Sequence, residues 1–295
     1  MHSRSKIWAY IFLIIGVITI GFTAIFVKWA NAPGTVTAFY RMFLSSIFML
    51  VPFLFHLKKT GWHLSSRGVL FAIAGGICFG TDIAFWMTGV MMGEPTIPTL
   101  MANTAPVWVG LISWLFLKEK QGFQFWMGLL LALGCAAIIL GVNFSSSFHM
   151  GMGAVLGLIA SFLYSGFHLF SQRGRALLNT LAYFWIFTTS GAIVLLCVNL
   201  VMHQPFWGYG SVTVWNFIGI ALIGHVFGWM CIGYAQGHLP ASLIAPSVLI
   251  QPVVTAILAY WFFGNTFSPV QMVSGLGVIT GIFIVHRSHL RDQKM

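Results

Sequence analysis

Charge is scarce in this chain. Only 6% of its 295 residues are charged, where a soluble domain carries about 25%. No soluble fold of this length hides so much apolar surface. Acids are rarest, four against fourteen Lys and Arg, for a formal net charge of +10. The cations sit in short gaps between apolar runs and form no face for a phosphate backbone, so no nucleic-acid partner is expected. Cysteine is limited to Cys78, Cys135, Cys197 and Cys231. All lie inside apolar runs without CxxC pairs or metal-ligand spacing, and read as small core hydrophobes. A GxxxxGK[ST] phosphate loop is absent, which excludes an ATP-driven pump in one chain. So are GxSxG, HExxH and any clustered His/Asp set, which argues against an intramembrane enzyme. There is no ring of like residues to build a channel filter. No catalytic residue, metal or cofactor is expected.

What the chain has is apolar length. Hydrophobic residues make up 59% of it, and the mean hydropathy is +0.92. Ten apolar segments stand out: Ile7–Lys28, Thr35–Leu57, Gly68–Met91, Thr96–Leu117, Phe123–Val142, Met152–Gln172, Thr180–Val201, Val212–Ala235, Ala241–Phe263 and Pro269–His286. About 20 residues of helix cross a bilayer core of roughly 30 Å. Backbone groups in lipid must be satisfied within the segment, so helices are predicted throughout. The first segment follows Arg4 and Lys6 like a signal peptide, but it is too long for one and nine more spans follow.

The charges orient the bundle. With the N-terminus in the cytoplasm, one side receives Arg4, Lys6, Lys58, Lys59, Arg67, Lys118, Lys120, Arg173, Arg175, Arg287, Arg291 and Lys294. The other receives only Lys28 and Arg41, at helix ends. The positive-inside rule then predicts both termini in the cytoplasm of a bacterial inner membrane.

The two halves repeat. Pro106 and Pro252 each sit near the middle of a span, at an offset of 146 residues. An aromatic run follows each, Trp114-Leu115-Phe116-Leu117 and Tyr260-Trp261-Phe262-Phe263, then a short polar turn and a Gly-spaced helix. Five spans per half is odd, so the second copy inserts upside down. The predicted fold is all-α, ten transmembrane helices as two inverted five-helix repeats, residues 1–145 and 146–295. Such repeats place the substrate site near the midplane between the halves.

Polar residues inside spans are costly in lipid and so are functional candidates. Asp82 is the only acid deep inside any segment. It suits a proton, a cation or a substrate amine; the alternative is a structural hydrogen bond. His225 is its near counterpart, since the offset maps Asp82 to position 228, one turn away. Trp86 and Trp229 follow four residues on, which puts indole and polar group on one helix face. Gly76/Gly80 and Gly224/Gly228 flank them and permit close helix approach. An imidazole near its ordinary pKa of about 6.5 is able to relay protons. Asn103 and Gln251 lie near the helix-weakening prolines, where freed carbonyls face a ligand. Tyr164 and His168 share a polar face with Ser161, and weaker polar stripes run along the first, fourth and ninth spans. Arg41 follows Tyr40 at the start of the second span, where it would attract an anionic group at the outer mouth or snorkel to the interface.

Several runs together resemble the drug/metabolite transporter superfamily, in its ten-helix, EamA-type branch. They are Asp82-Ile83-Ala84-Phe85-Trp86, Leu100-Met101-Ala102-Asn103-Thr104-Ala105-Pro106-Val107, Leu117-Lys118-Glu119, Gly228-Trp229, Leu239-Pro240-Ala241-Ser242 and Gln251-Pro252-Val253. The resemblance covers nearly the whole chain. It implies a central cavity lined largely by spans 1, 3, 4, 6, 8 and 9, with spans 5 and 10 as scaffold. It also implies proton- or gradient-linked movement of small metabolites, often export of amino acids. One departure is Gly264-Asn265, where the second repeat usually carries a Glu.

The expected protein is thus a secondary active transporter of a small amphipathic metabolite, first of all an amino acid, aromatic ones included. A nucleobase, a vitamin or an adenosyl compound suits the same groups. The expected substrate-binding or coupling residues are Asp82, His225, Trp86, Trp229, Asn103, Gln251, Tyr164, His168, Tyr40 and Arg41. Its partners are the small-molecule substrate, protons or another ion gradient, and the lipid bilayer, with monomer and homodimer both open.

Overall fold

The computed structural model describes residues 2–60, 63–92, 96–116, 118–119, 121–140, 151–264, 266 and 268–292; side chains are described for all of these except 2–5, 60 and 290–292. Each of the ten apolar segments is a helix. They are α1 (Lys6–Ala30), α2 (Gly34–Lys59), α3 (Ser66–Met91), α4 (Thr96–Phe116), α5 (Phe123–Ile139), α6 (Met152–Arg175), α7 (Thr180–Val201), α8 (Ser211–Gln236), α9 (Ala241–Phe263) and α10 (Pro269–His289). All but α5 are long and apolar enough to cross a membrane. The described part of α5 has 17 residues, about 25 Å at helical rise. The expected ends at Leu117 and Val142, and the repeat boundary at 145/146, lie outside the described residues.

The outer surface is what lipid requires. Phe116, Val201, Trp261 and Leu276 are each at least two-thirds exposed, a placement that water would penalise and acyl chains do not. Small residues set the helix contacts, since in lipid close backbone approach replaces hydrophobic sorting. A Cβ on Gly76 would run into the Phe187 carbonyl oxygen, so α3 lies directly against α7. One on Gly228 would fall 2.8 Å from Ile20, which joins α8 to α1. Gly128 and Gly281 bring α5 and α10 together in the same way. These last two helices bury their own apolar cluster, including Phe125, Leu129, Val278 and Ile282, beside α9.

Three departures from regular helix matter. α4 breaks between Ala102 and Ala105, and α9 breaks between Val248 and Gln251. The breaks are related by the 146-residue offset. At each the chain tightens by one residue: Thr104 N donates to Met101 O at 3.0 Å, and its equivalent Ile250 N to Ser247 O at 3.2 Å. The prolines just beyond have no amide hydrogen to give, so the carbonyls of Ala102 and Val248 lose their helical donor. The third departure is in α8, where Ile220–Phe227 forms a π-helical stretch. Such widened turns are uncommon and concentrate at functional sites. This one carries His225.

Candidate functional site

The repeat offset predicts which residues meet at the pseudo-two-fold axis. His225 is equivalent to Phe79, and Phe187 to Arg41. The structure brings all four together. The ring centroids of Phe79 and His225 are 6.4 Å apart, and Phe187 stacks on His225 at 6.0 Å with the planes 4° from parallel. The Phe79 and Phe187 rings are 5.3 Å apart. Arg41 lies over Phe79, its Cζ 5.4 Å from the centroid, within cation–π range. Each half therefore places a flat group from its second helix over a ring from its third. Tyr164, Phe167 and Trp229 close around Phe79 at 5.9, 4.9 and 5.1 Å.

Charge enters this aromatic cluster from one half only. Arg41 lies seven residues inside α2, about 10 Å along the axis. It is not at the outer mouth, as its position before the apolar run implied. Its Nε and Nη2 are shut off from solvent and have no hydrogen-bond partner. Asp82, 7% exposed, faces it from α3, and each charge acts on the other. The Tyr164 phenol from α6 feels both. His225, 1% exposed, shares a 3.0 Å hydrogen bond between Nε2 and Thr188 Oγ1; its Nδ1 has no partner. The arrangement offers one cation, one carboxylate, an imidazole and a phenol within apolar walls.

The other expected residues are placed differently. His168 is fully buried beside Tyr164, ring centroids 4.6 Å apart, with Nδ1 3.3 Å from Gln236 Nε2. The Trp86 indole donates to Thr99 Oγ1 at 3.1 Å and ties α3 to α4. Asn103 lies in the α4 break, its side-chain amide donating to Thr99 O at 3.0 Å. Gln251 opens the second part of α9. Tyr40 turns away from the cluster: its hydroxyl donates to Phe206 O at 2.6 Å, and its ring stacks on Phe217 at 4.6 Å. Lys28 lies over the Phe263 ring at 3.9 Å. Phe79 and Phe187 carry no signal as single residues among 28 phenylalanines. Applying the offset to Arg41 and His225 would have found them.

Phe79, Phe187, His225 and Trp229 are buried, while Arg41 and Tyr164 are partly exposed. Two cavities are described, of about 700 Å³ beside α3 and α6 and about 340 Å³ between α5, α9 and α10. Neither is lined by Arg41, Asp82 or His225. On the face carrying the termini, Glu119 ties helix ends together. This carboxylate accepts from Gln172 Nε2 at 3.4 Å and Ser242 Oγ at 3.1 Å, and Gln172 Oε1 in turn accepts from Ala241 N at 2.9 Å. The ends of α4, α6 and α9 are thereby joined. The position equivalent to Glu119 in the second half, Asn265, lies outside the described residues.

Inverted halves, paired broken helices and charged groups buried between them define a class, the multi-pass membrane transporters. The chain belongs to the EamA-like transporter family, which matches residues 7–141 and 151–287, one domain in each half. It is 23% identical to the pseudopaline exporter CntI of Pseudomonas aeruginosa over 88% of each chain. It is 22% identical to a probable terminal-alkyne amino-acid exporter of Streptantibioticus cattleyicolor, over 72% of this chain and 73% of that one. A crystal structure 13% identical in sequence superposes with a TM-score of 0.79 over 98% of both chains, which is a likeness of fold.

Proposed function

We propose that this transporter exports or exchanges a small amphipathic metabolite, an amino acid with an aromatic or apolar side chain first of all, against protons. It works in a bacterial inner membrane with both termini in the cytoplasm. The observation that carries this reading is the gathering of Asp82 and Arg41 with Phe79, Tyr164 and Trp229 where the two halves meet. A buried carboxylate requires a partner. A proton and a substrate ammonium group compete for the same oxygens of Asp82, so each leaves as the other binds. That competition is an antiport. The aromatic rings supply apolar contact for the substrate body, and His225, held by Thr188, supplies a polar wall. Two relatives named as exporters support movement outward. Rocking of one half against the other would expose this midplane site to each side in turn.

The test is flux in reconstituted vesicles, using labelled phenylalanine and an imposed pH gradient. Asp82→Asn abolishes flux while the protein still elutes as a folded species. Normal flux in that variant removes Asp82 from the mechanism. Flux in the wild-type protein that ignores the pH gradient removes proton coupling.

A further inference from the structure

Among the described residues, Arg41 alone has two buried side-chain polar atoms without a hydrogen-bond partner. Its Nε and Nη2 are both buried and both without a hydrogen-bond partner. These two nitrogens form one edge of the planar group, with N–H bonds that point the same way. That edge is the fork that grips a carboxylate through two parallel hydrogen bonds. A buried cation is costly unless it is paired and hydrogen-bonded. Asp82 acts on Arg41 electrostatically yet accepts from neither nitrogen of this edge. The titratable groups facing Arg41 are Asp82 from α3, Tyr164 from α6 and His225 from α8. None of them fills the fork.

We infer that the Nε/Nη2 edge of Arg41 is the receptor for a carboxylate on the transported molecule. This deepens the transporter reading above and rests on it. The ring beneath the fork is Phe79, with Tyr164 and Trp229 packed against it, so the preferred carboxylate carries an aromatic or apolar body. Asp82, which faces Arg41 from α3, suits an ammonium group on the same molecule. An α-amino acid satisfies both charges at once; a neutral nucleobase leaves the fork empty.

The experiment uses the full chain in nanodiscs and benzoate as the probe, with thermal unfolding as the readout. Ligand that binds only the folded state raises the unfolding temperature. Benzoate raises it saturably in the wild-type protein, and benzamide, its neutral isostere, does not. Arg41→Gln weakens benzoate at least tenfold. Arg41→Lys keeps the charge, loses the fork and also weakens benzoate; it carries the comparison if Arg41→Gln does not fold. Equal responses to benzoate and benzamide, an unchanged response in the Arg41 variants, or no saturable benzoate response each overturn the inference. So does an Arg41-dependent shift given by sodium chloride, against sodium gluconate, but not by benzoate, which would mark an inorganic anion site. Benzoate binding does not depend on flux, so its failure is separable from failure of the transport reading.

Discussion

A single helix position shows how the two halves differ. Arg41 and Phe187 are equivalent under the repeat, yet one brings a charge and the other a ring to the same axis. The symmetry of the backbone therefore does not extend to the chemistry: the first half supplies both charges, and the second supplies His225 as hydrogen-bonding group. His225 depends on Thr188 alone, because Nδ1 is already without a partner. Thr188→Val keeps the side-chain shape and leaves the whole imidazole unpaired. An average interhelical hydrogen bond in a membrane protein contributes only about 0.6 kcal/mol, but a buried group left unsatisfied costs about 1–3 kcal/mol. The second figure applies here. Thr188→Val is expected to destabilise the protein by about 1–2 kcal/mol in reversible denaturation in detergent, and an unchanged midpoint would show that the ring finds another partner. At this scale the sequence was partly legible. Asp82 and His225 stand out because polarity is costly in lipid. Arg41 was a candidate as well, but for an anionic group at the outer mouth, because proximity to a helix start says nothing of the direction its long side chain takes.

Among the helices, α4 and α9 are the pair to watch. Each is broken before a proline, at positions 146 residues apart. A break of this kind lets the outer and inner parts of a helix tilt separately. The part of α4 on the terminus face, and the first part of α9 beside it, are tied through Glu119 to Ser242, and through Gln172 to α6. Val109 packs against Ala241 and Ala245 beside this tie. Glu119→Ala removes both acceptor oxygens. A cysteine placed at Val109, with the four native cysteines replaced, is expected to react several-fold faster with a maleimide in the Glu119→Ala background. Equal rates would mean that the tie does not hold this face shut. The prolines were visible in the sequence, and so was Glu119 in its Leu117-Lys118-Glu119 run. The partners of Glu119 were not, since Gln172 and Ser242 lie 53 and 123 residues away. The π-helical stretch in α8 was equally hidden: Ile220–Phe227 reads as an ordinary apolar run.

At the scale of the whole molecule, ten crossings put both ends of the chain on one face. The distribution of Lys and Arg predicts that this face is cytoplasmic. A fluorescent-protein fusion at the C-terminus is expected to fluoresce in bacteria, and an alkaline phosphatase fusion there to be inactive. The reverse pattern would invert the proposed direction of every step. α5 and α10 pair through Gly128 and Gly281, apart from the charged cluster.

The sequence by itself determined the helices, their number and the inverted repeat. Each span must satisfy its own backbone in lipid, so its apolar length is written locally, and the offset between the prolines records the duplication. It also exposed Asp82 and His225, because few residues of their kind enter an apolar run. Only the tertiary structure decided what surrounds them. Phe79, Phe187 and Thr188 are ordinary residues until the halves are folded together, and Arg41 is a candidate without a location in the site until α2 is set beside α3. Contacts across a pseudo-two-fold axis join residues more than a hundred positions apart, and no local pattern encodes which side chains meet there.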